Sequence, residues 1–267
     1  VTVECVPPLV EDGDRSDGGP ANRRLGMATS TDGLSWSKEA SNPLIDDADW
    51  SNVEEGIFSG GMWTDGETIH AMLGIMEGGG GSVDGSGDHY SSTDGVSWSL
   101  NAENVIPSGG DAIGDDENFP FAAYEHSGTV YVFYSAKGSG ADWTFSVASG
   151  STWDSMTSHT DLGFSFRTRA GGQVIKKTSS TYLLAVTNVD DTQIDIYSFD
   201  PSDPTDLTLE ASWPFDTFGM TATEPDNQDN GLLYRDREIG TWFFYFITGS
   251  GPDGTGIHVA TAPMTTQ

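Results

Sequence analysis

The sequence predicts an all-β chain, a five-bladed β-propeller with the innermost strand of blade one missing or supplied unusually, and three observations predict it. The 267 residues include 34 Gly and 12 Pro with 11% aromatic side chains, the composition of many short strands joined by tight turns rather than of helices. The segment Ser-Thr-Asp-Gly-x-Ser-Trp ends at Trp36 and again at Trp98, 62 positions later. The same offset carries Glu55 onto Glu117 and Gly66 onto Gly128, so it relates whole units and not one loop. Four-stranded units repeating at such a period and arranged radially make a propeller.

The units are read in chain order. In the N-terminal part Thr2 to Val6, Arg24 to Ser30 and the strand at Trp36 match the second, third and fourth strands of a unit. The polar insertion Glu11 to Ala21 suits a surface loop, because Asp and Gly favour turns and solvent over strand pairing. Blade two opens with Glu55 to Trp63, turns at Asp65-Gly66 and returns along Thr68 to Ile75; a third strand precedes the Asp-Gly turn at Asp94 and a fourth follows it. The run Gly78 to Gly81 reads as a flexible hairpin tip or a long loop over one face. Blade three repeats the start as Glu117 to Tyr124 and Thr129 to Ser135. Blade four is expected at Ala170 to Lys176, Tyr182 to Asn188 and Gln193 to Phe199, and the last blade at Gly231 to Arg235, Trp242 to Thr248 and Gly256 to Ala262. No interdomain linker interrupts the series, so residues 1–267 are expected to form a single domain.

Charge bounds the partners. Forty-one Asp and Glu against 11 Lys and Arg give a formal net charge of −30 and a pI near 4.1. Nucleic acid is excluded, because its binding depends on basic groups replacing counterions along the phosphates, and an anionic membrane surface is excluded for the same reason. A saline habitat, calcium binding, or an acidic secreted protein would each account for the excess. Cys5 is the only cysteine, so an internal disulfide framework is ruled out. The sequence holds no stretch long enough to span a membrane and no signal peptide. It begins at Val1 without a Met, which suggests a processed N-terminus, and an extracellular setting, secreted or surface-associated, is expected.

Side chains differ in what they imply. In the two Ser-Thr-Asp-Gly-x-Ser-Trp segments, Asp accepts backbone hydrogen bonds in a tight turn, Gly takes a positive φ and Trp pins the hairpin to its blade, a structural role. The starts of inner strands are different, because in a propeller they surround the axis and side chains from several blades converge there. Blade two offers Glu54 and Glu55, blade three Asp115, Asp116 and Glu117, blade four Arg167 and Arg169, and the last blade Glu224, Asp226 and Asp229. Carboxylates from separate blades can form an acid and base pair for glycosidic bond cleavage, and arginines among them lower carboxylate pKa values and can hold an acidic sugar. The alternative is ordinary surface charge, or ligands of a structural calcium near the axis. Phe58, Trp63, Phe119 and Trp143 read as blade packing; Trp50, in a polar loop before an inner strand, is the sugar-platform candidate. His70, His89, His126, His159 and His258 lack zinc-site spacing and read as structural or surface residues. No Gly-x-Ser-x-Gly elbow, P-loop or dinucleotide fingerprint stands in a supporting context.

Three passages carry a family resemblance. Arg24-Leu-Gly-Met-Ala-Thr-Ser-Thr-Asp-Gly-Leu-Ser-Trp36, Gly56-Ile-Phe-Ser-Gly-Gly-Met-Trp63, and Asp116-Glu-Asn-Phe-Pro-Phe121 followed by Tyr131-Val-Phe-Tyr-Ser135 resemble the five-bladed propeller glycoside hydrolases, the group of families 32, 43, 68 and 130. The resemblance places Asp116 or Glu117 at the third-blade acidic position that stabilises the transition state or tunes the acid. It implies a nucleophile or base Asp on the innermost strand of blade one, which this sequence lacks, and an acid Glu opening blade four, where Arg167, Thr168 and Arg169 stand instead. If the site is rearranged, Glu55 and Glu224 are the expected substitutes for the acid.

The leading expectation is therefore a secreted glycoside hydrolase-like propeller acting on a plant or algal polysaccharide or oligosaccharide. Asp116, Glu55 and Glu224 are its catalytic candidates, and Trp50, Glu117, Arg167, Arg169 and Asp226 its substrate contacts. No cofactor is required for that chemistry; calcium is an optional ligand. The rival is a non-catalytic carbohydrate-binding or surface-adhesion propeller, and a third reading is a calcium-stabilised structural module.

Overall fold

A computed structural model describes residues 25–30, 35–45, 56–79, 82–107, 117–137, 143–166, 172–187, 193–214, 232–236, 241–248 and 256–263. The described residues are strands and turns throughout. They fall into two compact units, residues 1–164 and 165–267.

In the first unit, a short antiparallel pair, β1 (Ala28–Thr29) and β2 (Ser37–Lys38), precedes two four-stranded meanders. One meander is β3 (Gly56–Thr64), β4 (Ile69–Gly79), β5 (Ser82–Ser92) and β6 (Ser99–Ile106). The other is β7 (Glu117–His126), β8 (Thr129–Lys137), β9 (Trp143–Gly150) and β10 (Ser158–Phe166). Both are antiparallel, and a single parallel pairing of Gly85 with Glu117 joins them into one sheet. The second unit holds the meander β11 (Gly172–Lys176), β12 (Tyr182–Thr187), β13 (Gln193–Asp200) and β14 (Asp203–Pro214). It also holds the three-stranded sheet β15 (Leu232–Asp236), β16 (Thr241–Thr248) and β17 (Gly256–Pro263).

The inner strands match the expected spans to within a few residues, and their register follows from the turns. Gly66 (φ 101°) and Gly128 (φ 77°), related by the 62-residue offset, both occupy the left-handed region at hairpin tips, where a side chain is strained. At the third-strand end of the first meander, the Asp94 carboxylate accepts hydrogen bonds from the backbone N–H of Val96 (2.8 Å) and Ser97 (2.7 Å), and Trp98 Nε1 donates to Gly95 O at 3.0 Å. The equivalent turn at Thr31–Leu34 lies outside the described residues.

Some expectations are corrected. The Arg24 to Ser30 and Trp36 strands shorten to two-residue β1 and β2, beside an isolated bridge of Leu25 to Ile45. Of the run Gly78 to Gly81, Gly78 and Gly79 are paired strand residues at the end of the β4–β5 hairpin, opposite Val83 and Ser82, which excludes the long-loop alternative for them. Thr2 to Val6 and the Glu11 to Ala21 insertion lie outside the described residues.

Period-2 alternation sends β4 to two cores at once. Ala71, Leu73 and Ile75 join Leu25, Ile45, Ile57 and Tyr90, whereas Met72 joins Val130, Val132, Tyr134 and Ile106 of the neighbouring strands. The meanders interlock where side chains are absent. A Cβ on Gly61 would lie 2.5 Å from the backbone of Ala122 and Ala123, and one on Gly85 would lie 2.5 Å from the Phe119 ring. β7 consequently sits against β3, β4 and β5 at near backbone-contact distance, buried along most of its length.

Overpacking a close contact of this kind costs about 1–3 kcal/mol. Gly61→Ala is therefore expected to lower the unfolding free energy by that amount, seen as a lower denaturant midpoint, without changing the strand content seen by circular dichroism, and an unchanged midpoint would contradict the packing. Turn hydrogen bonds, first from Ser97 N–H and then from Val96 N–H, hold the Asp94 carboxyl below its ordinary 3.8, at about 2. A depressed carboxylate stabilises the fold above its ordinary pKa and loses that contribution as pH falls through about 2. Asp94→Asn is expected to flatten the decline in stability between these two pH values, measured by denaturant titration at stepped pH; an unaltered slope would show that the turn carries no such linkage.

Candidate functional site

Strand polarity gathers the inner-strand starts of the first unit at one end. β3 and β5 both run antiparallel to β4, and β5 is parallel to β7, so Gly56, Ser82 and Glu117 open three strands that run the same way. Register then aligns Gly56, Met76, Gly85, Glu117, Lys137 and Trp143 as one continuous cross-strand row.

Glu117 is the predicted site residue that the described structure places. It is buried, 7% exposed, at the first position of β7. The ammonium of Lys137, opposite it on β8, donates to Glu117 Oε1 at 2.9 Å. Lys137 Nζ also lies 5.2 Å from the Trp143 ring centroid, and Trp143 in turn packs on Phe119 with centroids 5.9 Å apart. A buried carboxylate needs such a partner, because desolvation of a lone charge is expensive, and the aromatic face gives the cation a second favourable contact. Next to it, fully buried Asn118 donates from Nδ2 to Pro107 O at 2.7 Å, tying the start of β7 to the chain just after β6.

The other candidates, Glu55, Asp116, Glu224, Trp50, Arg167, Arg169 and Asp226, lie outside the described residues, as do Glu54, Asp115 and Asp229. Glu55 and Asp116 immediately precede Gly56 and Glu117 in the chain, the two strand starts that the register row sets level. Phe119 and Trp143 are buried, consistent with their reading as blade packing. Among the described residues, no cluster of three or more His, Cys, Asp or Glu is arranged to hold a metal ion. Lys137 and Asn118 escaped the sequence reading. The Ser127-Gly128 turn brings the end of β8 back beside residue 117, but Lys137 comes opposite Glu117 only through the register shift between Pro120 and Ala122.

Chemically, the row can present negative charge beside a fixed cation. An ion-paired carboxylate suits electrostatic support of a developing positive centre better than proton donation. Removing the lysine alone would leave a buried charge without its counter-charge. Because Lys137 is partly exposed and solvent screens the pair, Lys137→Met is expected to cost about 1–3 kcal/mol. The double change Lys137→Met with Glu117→Gln should recover most of that loss in thermal melts; if the double variant is as unstable as the single one, the pair is not the cause.

No family model and no curated protein sequence matches the chain. Solved structures do. A β-xylosidase/α-arabinofuranosidase of family 43 from a compost microbial metagenome, solved with xylotriose in a calcium-free form, is 11% identical with a TM-score of 0.63, covering 96% of this chain and 89% of that one. A glycosyl hydrolase from Bacteroides ovatus is 17% identical with a TM-score of 0.59 over 95% of this chain and 78% of its own. The xylan β-1,4-xylosidase of Bacillus halodurans is 15% identical with a TM-score of 0.59 over 91% of this chain. The chain spans about half, 49%, of that xylosidase's length. At these identities the likeness bears on architecture, and the chain has the all-β, five-bladed propeller fold of the family 43 glycoside hydrolases.

Proposed function

We propose that the chain is a glycoside hydrolase-like propeller that cleaves a polysaccharide or oligosaccharide with carboxylates at the strand-start end. The observation that supports it most is the register row that sets Gly56 level with buried, lysine-paired Glu117. Glu55 and Asp116 are the residues immediately before these two strand starts. In this reading Asp116 stabilises the oxocarbenium-like transition state or tunes the acid, and Glu55 or Glu224 donates the proton to the leaving oxygen. Glu117 anchors the strand start and adds negative charge; Trp50, Arg167, Arg169 and Asp226 contact sugar. The substrate class that the fold relatives favour is xylo-oligosaccharide or arabinofuranoside, since relatives of the same fold are a xylosidase/arabinofuranosidase solved with xylotriose and a xylan xylosidase. A secreted or surface-associated setting suits a polymeric substrate and the acidic composition.

The test is sugar release from xylotriose, an aryl β-xyloside and an aryl α-arabinofuranoside by the purified chain and by Asp116→Asn, Glu55→Gln and Glu224→Gln. Loss of a general acid is expected to slow turnover by roughly 10²-fold or more. Unchanged turnover in all three variants would reject these acids. One feature favours the non-catalytic alternative: Arg167 and Arg169 stand where the group carries its acid. Binding of xylotriose with no product from any substrate, surviving all three substitutions, would select that alternative.

A further inference from the structure

At the opposite strand ends from Glu117, the first unit carries a chain of three polar side chains that the proposed reaction does not use. His70, near the start of β4, and His89, near the end of β5, face each other with His70 Nδ1 3.0 Å from His89 Nε2. The other ring nitrogen, His89 Nδ1, is 2.5 Å from Asp154 Oδ1. Asp154 belongs to the loop 151–157 between β9 and β10, in the neighbouring meander. Its neighbour Trp153 is buried and stacks on the His70 ring at 4.6 Å and 3°, and on the His89 ring at 5.6 Å. Trp153 Nε1 donates to Glu125 Oε2, near the end of β7, at 3.3 Å. The loop of one meander is thus clasped onto two strands of the other.

Proton counting on this chain has only three cases. With both rings neutral, His89 Nδ1–H donates to Asp154 and His70 Nδ1–H donates to the bare His89 Nε2. With one added proton, His89 is an imidazolium that donates to both Asp154 and the bare His70 Nδ1. With two, an N–H of each ring points at the other across 3.0 Å, so the hydrogen bond becomes a donor–donor and cation–cation contact. We infer that His70 and His89 form a one-proton latch: the clasp stays closed with at most one proton added to the two rings, and a second opens loop 151–157 from β4 and β5.

The surroundings set where this happens. Burial, the largest influence on each ring, holds both histidines below their ordinary 6.5. Opposing it are the charges that face them: Asp154 from the loop, Asp65 from the β3–β4 turn and Glu125 from β7 for His70, and Asp154 for His89, whose neighbour His70 acts in the same direction as burial. Groups depressed in the closed state stabilise it fully above their ordinary pKa and lose that contribution as pH falls through the lower, closed-state values. Below about 6.5 an open loop lifts Trp153 off both imidazoles, and rings in solvent can turn apart and take two protons where the clasp takes at most one. Opening therefore takes up at least one proton, and each pH unit multiplies the open fraction by about ten or more.

Hydrogen exchange of the peptide spanning residues 151–157, corrected for intrinsic rates, tests this between pH 7.5 and 5. Wild type is expected to show an opening constant that rises about tenfold or more per pH unit below 6.5, while the β7–β8 hairpin stays protected. His70→Phe keeps a ring on Trp153 and removes the opposing nitrogen, so the dependence should weaken to that of His89 alone; His70→Gln should behave alike and serves if the Phe variant folds poorly. Imidazole NMR signals give an independent reading, with at most one proton on the pair before the loop opens. A pH-independent opening constant, an unchanged dependence in both variants, or two protonated rings under a protected loop would each overturn the latch.

Discussion

The strand-start end depends on how closely β7 is admitted against β3, β4 and β5. Phe119 and Pro120 fill space that side chains on Gly74, Gly85 and Gly87 would occupy, and Gly61 lies against the backbone of Ala122 and Ala123. Ser59 Oγ donates to Pro120 O at 2.5 Å across the same contact. Proline has no N–H for the ladder, and the sheet accommodates it with a register shift between Pro120 and Ala122. That close approach brings Glu117 beside Gly85 and completes the row from Gly56 to Trp143. A larger residue at the glycines would move β7 outward and separate the two acid-bearing strand starts.

The inner strands were legible because two independent signals coincide at each: an apolar run of strand length and a turn whose chemistry fixes its end. β14 had no such signal. Its Asp203–Pro214 span contains two prolines and alternates exposed with partly covered positions, so composition reads as loop although it pairs with β13. β1 and β2 fail in the other direction, since a good strand pattern at Arg24 to Ser30 yields only a two-residue pairing.

Among the described residues, the pairing at Glu117 was legible only in part, for a geometric reason. Glu117 is conspicuous at the start of an inner strand. Its partner is not: counting back from the Ser127-Gly128 turn alone would set Glu117 opposite Gly138, and the shift at Pro120 moves Lys137 into that place. A one-residue irregularity thus decides whether a buried carboxylate meets a cation or a glycine. The histidines show the same limit. His70 and His89 are 19 residues apart and Asp154 is 65 beyond His89, a separation that carries no motif; only antiparallel pairing of β4 with β5 and the neighbouring loop bring them together.

With 41 acids and 11 Lys and Arg, where a positive charge is placed carries information. At the strand starts the first unit meets a buried carboxylate with the ammonium of Lys137. At the opposite ends it meets Asp154 with an imidazole chain whose charge depends on pH. Strand polarity sets these two solutions toward opposite ends of the strands: along β5, Gly85 beside Glu117 and His89 of the clasp are four residues apart, about 13 Å at ~3.3 Å per residue. Glu117 and His89 are both buried, where salt screens charge far less than at the surface, so acid that loosens the clasp acts on the carboxylate end through the field as well as through the packing of β7 on its glycines.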